Sequence, residues 1–231
     1  MTILQNYSVI MLDMNSTFMF GEDRFTASEN FYRSYTRIGG TDLSPQEVDR
    51  SIRDCYAGML RDYQDPARYD DFPSLHEGLK QYAGVDAQHI EQLAATFAAH
   101  EIGTVSPDYA ALLRTWSKTH RLAVVSNIWA KKSPWLAEFH RAGIHDIWQT
   151  IVFSSDTRHI KPSPVLFNKA AAVLAAPMAE ILFIGDSIRV DMEPARNLGM
   201  ATLWLTDSTD GHPAVDYIAP SLLDIAAIQT A

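Results

Sequence analysis

Cysteine is nearly missing: the chain has a single one, Cys55. That excludes an internal disulfide framework and a cysteine-based zinc site. The helix-like setting of Cys55 suits plain packing, and a reducing, cytoplasmic environment is expected. Basic charge is also scarce. Lys and Arg number 19 against 28 Asp and Glu, for a formal net charge of -9, so a nucleic acid or an anionic membrane is not the expected partner. No apolar run approaches the length of a membrane span, and the N-terminus lacks the basic, apolar and small-residue succession of a secretory leader. No segment is long or biased enough for disorder, collagen or a solenoid. What remains is an ordinary globular composition, 47% hydrophobic over 231 residues. It suffices for one large domain, or for a core domain with a smaller insertion. A small-molecule substrate is favoured, handled by a monomer or homodimer.

The stretch VIMLDMNST (9–17) is an apolar run that stops on a carboxylate and then turns polar. Continuous apolar residues mark a strand covered on both faces, as in a parallel sheet, whose ligands gather at the carboxyl ends. Asp13 stands at such an end. Residues 18–24 (FMFGEDR) read as a short flap over it. From 26 to 100 there is no strand pattern; segments 29–38, 44–60, 74–82 and 87–100 carry helical spacing instead. Ser44, followed by Pro45 and Glu47, makes a capped helix start.

From Pro107 onward helices alternate with short apolar strands, each ending in polar residues. Strands are predicted at 122–125, 150–153, 181–184 and 201–205, and helices at 108–118, 133–142, 164–174 and 190–198. The expected fold is α/β: a Rossmann-like, doubly wound parallel sheet interrupted by an all-helical insertion. The core spans 1–17 and 104–231, and the flap and helical cap span 18–103.

The strand ends present chemistry. Asp13 and Asp186 are hard oxygen ligands suited to Mg²⁺. Asp191, near a helix start, can anchor water or orient Lys161. The Ser126 hydroxyl and the Asn127 backbone N–H can donate to phosphate oxygens, and Lys161 adds positive charge. Singly, each of these segments also reads as a turn or a helix cap. In this order, each at the end of an apolar strand, they form a site.

These four segments (VIMLDMNST, VVSN, Lys161-Pro162 and IGDSIRVD) resemble the four motifs of the haloacid dehalogenase superfamily, and the helical insertion sits where that family carries its cap. The resemblance spans essentially the whole chain. It implies Asp13 as a nucleophile forming an aspartyl intermediate. It also implies Mg²⁺ held by Asp13, Asp186 and the backbone oxygen of Asn15, with Asp191 in the metal set, and a transferring group held by Ser126, Asn127 and Lys161.

One position departs from the family. Phosphatases of this type mostly carry a second aspartate two residues after the nucleophile, as acid and base; here it is Asn15. An amide does not exchange a proton near neutral pH, so a contribution of about 10²- to 10⁴-fold must be lost, supplied elsewhere or not needed. Asp23, Arg24 or a histidine are candidates on the cap or flap, and Arg24 is also a candidate substrate contact.

The expected activity is Mg²⁺-dependent hydrolysis of a small phosphorylated metabolite. The alternatives are carbon–halogen hydrolysis, whose leaving group needs no proton, and phosphate binding with weak or no turnover. Trp129, Trp135, Phe18 and Phe20 are possible pocket aromatics. His140 and His145, five apart, give no zinc motif.

Overall fold

The computed structural model describes residues 3–227. Its first strand, β1 (Val9–Leu12), is buried along its whole length, and the strand period of two divides that run between two layers. Ile10 and Leu12 pack in one core with Leu113, Trp135 and Phe139, while Val9 and Met11 pack in a second with Leu166, Phe167 and Ala195. Full burial of such aliphatic side chains is worth about 1.5–3 kcal/mol each, so this short strand ties both layers together.

Four helices follow: α1 (Phe31–Arg37), α2 (Pro45–Gln64), α3 (Leu75–Ala83) and α4 (Ile90–Glu101). No strand longer than an isolated bridge lies among them. Ser44 caps α2 as its sequence predicts, accepting from the Glu47 N–H while the Glu47 carboxylate takes the Ser44 N–H at 2.8 Å; Ser74 and Glu77 repeat the device on α3. α2 runs one turn beyond its predicted end. Phe31, Ile52, Leu79, Leu93 and Phe97 form the core of these helices together with Cys55, which is buried and packed.

From α5 (Pro107–Trp116) helix and strand alternate through β2 (Arg121–Ser126), α6 (Ser133–Arg141), β3 (Trp148–Phe153) and α7 (Pro164–Leu174). The chain continues through β4 (Ile181–Gly185), α8 (Glu193–Asn197), β5 (Ala201–Leu205) and β6 (Tyr217–Ala219). The strand order is β3-β2-β1-β4-β5-β6, and every pairing is parallel. Helices on both faces make it the doubly wound α/β sheet.

Two elements differ from the sequence reading. The edge strand β6 has three residues, too few for an alternating pattern. The helix predicted at 190–198 is a wide turn over Ile188–Met192, in which the Met192 N–H reaches back to Ser187 O, followed by the short α8. Pro194, in the first turn of α8, has no N–H to continue the preceding ladder. Among the described residues no helix is long and apolar enough to cross a membrane.

Candidate active site

Pairing in the sheet delivers the candidate residues to one edge. The Asp13 N–H donates to Ile184 O at 2.9 Å, extending the β1–β4 ladder past Leu12. Ser126 ends β2, Lys161 lies in the loop after β3, and Asp186 follows Gly185 at the end of β4. These are the carboxyl ends of strands on either side of the point where the winding reverses. Lys161 Nζ donates to Asp13 Oδ1 and to Asp191 Oδ1, each at 2.6 Å. All three side chains are buried. The second oxygen of Asp191 accepts from the Ser187 N–H at 3.1 Å. A Cβ on Gly185 would lie 2.6 Å from that oxygen, so the close approach requires glycine.

Asp13, Asp186 and Asp191 each place a carboxylate oxygen within 4.8 Å of the others. Burial, and then the nearby Asp13, pushes Asp186 up to about 6. Burial pushes Asp191 upward as well, with Lys161 opposing. Burial also disfavours the Lys161 ammonium, yet Asp13 and Asp191 hold it above the ordinary lysine range. One ammonium among three carboxylates leaves excess negative charge on hard oxygen donors, a setting that fits a divalent cation. Asp191 has both oxygens engaged by protein groups, so its contacts are those of a support for Lys161. Asp13 and Asp186 keep oxygens free of protein hydrogen bonds among the described residues.

The Ser126 hydroxyl is buried at the strand end without a partner among the described residues, as is Asn15 Oδ1. A buried orphan hydroxyl at the edge of a polar cavity suits an oxygen-rich ligand. Asn127 contributes its side chain as well as its position. Its Oδ1 accepts from the Lys161 N–H at 2.8 Å, and its Nδ2 donates to Lys161 O at 3.1 Å and to the Tyr63 hydroxyl at 3.2 Å. Ser154, buried after β3, braces the same loop by bonding both the Ile128 N–H and the Ile128 carbonyl.

Arg24 is corrected. Its guanidinium is spent on the carbonyls of Gly21, Ala99 (2.5 Å) and Ile102 (2.9 Å), and it is not among the residues lining the cavity. The unpaired carbonyls at the end of α4 attract it more strongly than open solvent does. Trp135 and Phe18 are also corrected: both are fully buried, with Phe18 5.5 Å from Trp148 and Trp135 6.5 Å from Phe153 between ring centres. Phe20 is partly exposed against Tyr109. Trp129 does line the cavity. His140 and His145 stack at 4.0 Å, because the chain leaves α6 and reverses at Gly143, with φ +68°.

The cavity over Asp13, about 330 Å³, has walls that sequence spacing alone does not reveal. Tyr56, Leu60 and Tyr63, at helical i, i+4, i+7 spacing on α2, form one side with Trp129. Arg189 lies with its guanidinium over the rings of Tyr63 and Tyr69, at 5.8 and 5.9 Å, and donates to the Tyr69 hydroxyl at 2.5 Å.

Three further acids line the cavity: Glu22, Asp23 and Glu101. Glu22 accepts from the Ser16 N–H and hydroxyl, both at 2.8 Å, holding Ser16 at φ +52°. Glu101 accepts from the N–H groups of Trp129 and Ala130 at 2.5 and 2.9 Å. Burial nevertheless pushes Glu101 up to about 8.

A parallel doubly wound sheet, with a buried carboxylate–lysine–carboxylate line at its switch point and helices inserted after the first strand, defines a class of α/β hydrolase. The family model of haloacid dehalogenase-like hydrolases matches residues 7–199, and the chain belongs to that family. It is 26% identical over 185 residues to a glyceraldehyde 3-phosphate phosphatase of Methanopyrus kandleri, covering 77% of this chain and 74% of that protein. Among solved structures, a HAD phosphatase from Thermococcus onnurineus superposes with TM-score 0.63 at 19% identity, covering 95% of this chain and 96% of that one. A 2-haloacid dehalogenase from Pseudomonas syringae superposes with TM-score 0.66 at 16% identity, covering 96% and 97%. At these identities the superpositions establish the fold. The protein is a hydrolase of this family.

Proposed function

We propose that this hydrolase is a Mg²⁺-dependent phosphatase of a small phosphorylated metabolite, working through an aspartyl-phosphate on Asp13. The cluster of three carboxylates, two of them bonded to buried Lys161, carries this reading. The relative from Methanopyrus kandleri, named for a phosphate ester, supports it.

Lys161 holds Asp13 Oδ1 on one side, which leaves the other oxygen as the attacking atom. That oxygen bonds to phosphorus as the ester P–O bond breaks, and water later displaces Asp13 to release inorganic phosphate. The Ser126 hydroxyl and the Lys161 ammonium bind oxygens of the transferring group. Asp13, Asp186 and the Asn15 backbone oxygen would hold Mg²⁺, with Asp191 supporting Lys161. When bound, the ion neutralises charge on the transferring oxygens. Residues 18–103 act as flap and cap, and their aromatic wall selects the organic part of the substrate.

The test is release of inorganic phosphate from a panel of phosphate esters, with Mg²⁺ and with chelator. Turnover with Mg²⁺ that stops on chelation is expected; absence of turnover on the whole panel overturns the reading. Asn15 favours one alternative, carbon–halogen hydrolysis, because a halide leaves without a proton. Halide release from a 2-haloacid, independent of Mg²⁺, would establish that reading instead.

A further inference from the structure

We propose that Asp23, on the flap, performs the proton transfers that Asn15 cannot. This rests on the phosphatase reading and adds a residue to it.

The carboxylates lining the cavity are distinguished by what already holds them. Asp13 is bound to Lys161, and Asp186 stands beside it in the candidate metal cluster. Glu22 holds Ser16 through Oε1 and has its Oε2 buried away from solvent, and Glu101 is committed to the Trp129–Ala130 backbone. Asp23 lines the same cavity, is open to solvent through it, and has no side-chain hydrogen bond or ion pair among the described residues. A carboxyl group free of structural partners is the one able to take and give protons.

Its place is fixed by the backbone. The Asp23 N–H donates to Glu101 O at 3.2 Å, the Arg24 N–H to His100 O at 2.8 Å, and the Phe25 N–H to Asp23 O at 2.9 Å. Arg24 then nails the flap to the end of α4 through the Ala99 and Ile102 carbonyls while also holding Gly21 O of the flap. Asp23 itself sits at φ +53°, a conformation that aspartate and asparagine accept more readily than other non-glycine residues. The charged and titratable groups facing it are Glu22 and Arg24 on the flap, Glu101 at the end of α4, and Tyr56 on α2. Surrounding protein and Glu22 push the Asp23 carboxyl up to about 6, against Arg24. Both protonation states are therefore populated near neutrality.

The chemistry balances without another co-reactant. As Asp13 bonds to phosphorus, the electron pair of the breaking P–O bond passes to the ester oxygen, which takes the proton of Asp23 and leaves as the alcohol. Water then bonds to phosphorus and yields a proton to the Asp23 carboxylate as the Asp13 carboxylate departs. Inorganic phosphate and the starting protonation state result.

The experiment compares wild type, Asp23→Asn, Asp23→Glu, Asn15→Asp and the double variant Asn15→Asp/Asp23→Asn, with Mg²⁺, on an alkyl phosphate and on 4-nitrophenyl phosphate. Circular dichroism and thermal unfolding verify that each variant folds. Asparagine preserves the left-handed backbone, so Asp23→Asn is isosteric.

The expected result is a fall in kcat of about 10²- to 10³-fold for the alkyl ester, with loss of the pH–rate limb near the Asp23 titration. The rapid-quench phosphorylation burst with the 4-nitrophenyl ester, whose leaving group needs no proton, falls less. Asp23→Glu retains more activity than Asp23→Asn, and Asn15→Asp restores turnover to the double variant by tenfold or more. If Asp23→Asn keeps kcat and the pH profile, or raises KM alone, or is not rescued by Asn15→Asp, the assignment fails while the phosphatase reading stands. A wild-type protein that turns over no phosphate ester overturns both.

Discussion

The side-chain amide of Asn127 grips the peptide backbone of Lys161 from both sides, accepting from its N–H at 2.8 Å and donating to its carbonyl at 3.1 Å. The loop after β2 thereby sets the height of the lysine that meets Asp13 and Asp191.

Asn127→Ala removes both contacts and the bond to the Tyr63 hydroxyl, and it should cost about 2–3 kcal/mol of stability at roughly 1 kcal/mol per bond. Turnover should fall tenfold or more as Lys161 loses its register. Tyr63→Phe removes one bond and should cost about 1 kcal/mol or less. Urea unfolding and steady-state kinetics on the two variants check the difference.

Lys161→Met leaves Asp13 and Asp191 buried without a counter-charge. Removing one partner from a buried ion pair costs about 3–5 kcal/mol, so the variant should be strongly destabilised at pH 7.5 in chelator. The penalty should shrink at pH 5, because the orphaned Asp191, which burial already pushes upward, can then take up a proton. A penalty equal at both pH values would show that the lysine is not balancing these carboxylates.

Glu101 is raised by burial to about 8 in the folded protein, from an ordinary 4.5. The folded state then holds a proton that the unfolded state releases, so this contribution to stability is present below the ordinary value and is lost as pH rises through about 8. Wild type should lose stability between pH 5 and 8 more steeply than Glu101→Gln, read as the slope of the urea midpoint against pH. Parallel slopes would contradict the assignment.

Arg24 bridges three carbonyls with one planar fork, which an ammonium group does not reproduce. Arg24→Lys should therefore behave like Arg24→Ala, lowering kcat without a matching change in KM. Arg24→Ala alone also removes the cation from beside Asp23 and so moves the Asp23 limb of the pH–rate profile to higher pH, a shift that loosened packing alone does not produce.

The carboxyl ends of β1, β2 and β4 are legible in the sequence because each is an apolar run stopped by a polar residue, and burial on both faces of a parallel sheet produces that pattern. Asp191 as a partner of Lys161 is legible too, since a carboxylate just inside the turn after Asp186 faces back toward the strand ends. The side-chain role of Asn127 is not, because nothing local says that its amide will meet a backbone segment 34 residues on. Glu22, Asp23, Glu101 and Arg189 converge from the flap, the end of α4 and the turn after β4, and Arg24 turns away because the end of α4 offers it carbonyls. Such competition between distant partners leaves no periodic trace.

β1 has a further consequence, for how the molecule is made. Val9 pairs with Arg121 on one side and Ile181 on the other, so both neighbours of the central strand emerge from the ribosome more than a hundred residues after it. Until then the VIML segment is an unpaired apolar edge. The helices from Phe31 to Glu101 pack on one another within a single continuous stretch, while the sheet must close longer loops first. The helical layer is thus expected to be structured early during synthesis, and the edge that carries Asp13 and Asp186 is completed only when β4 arrives.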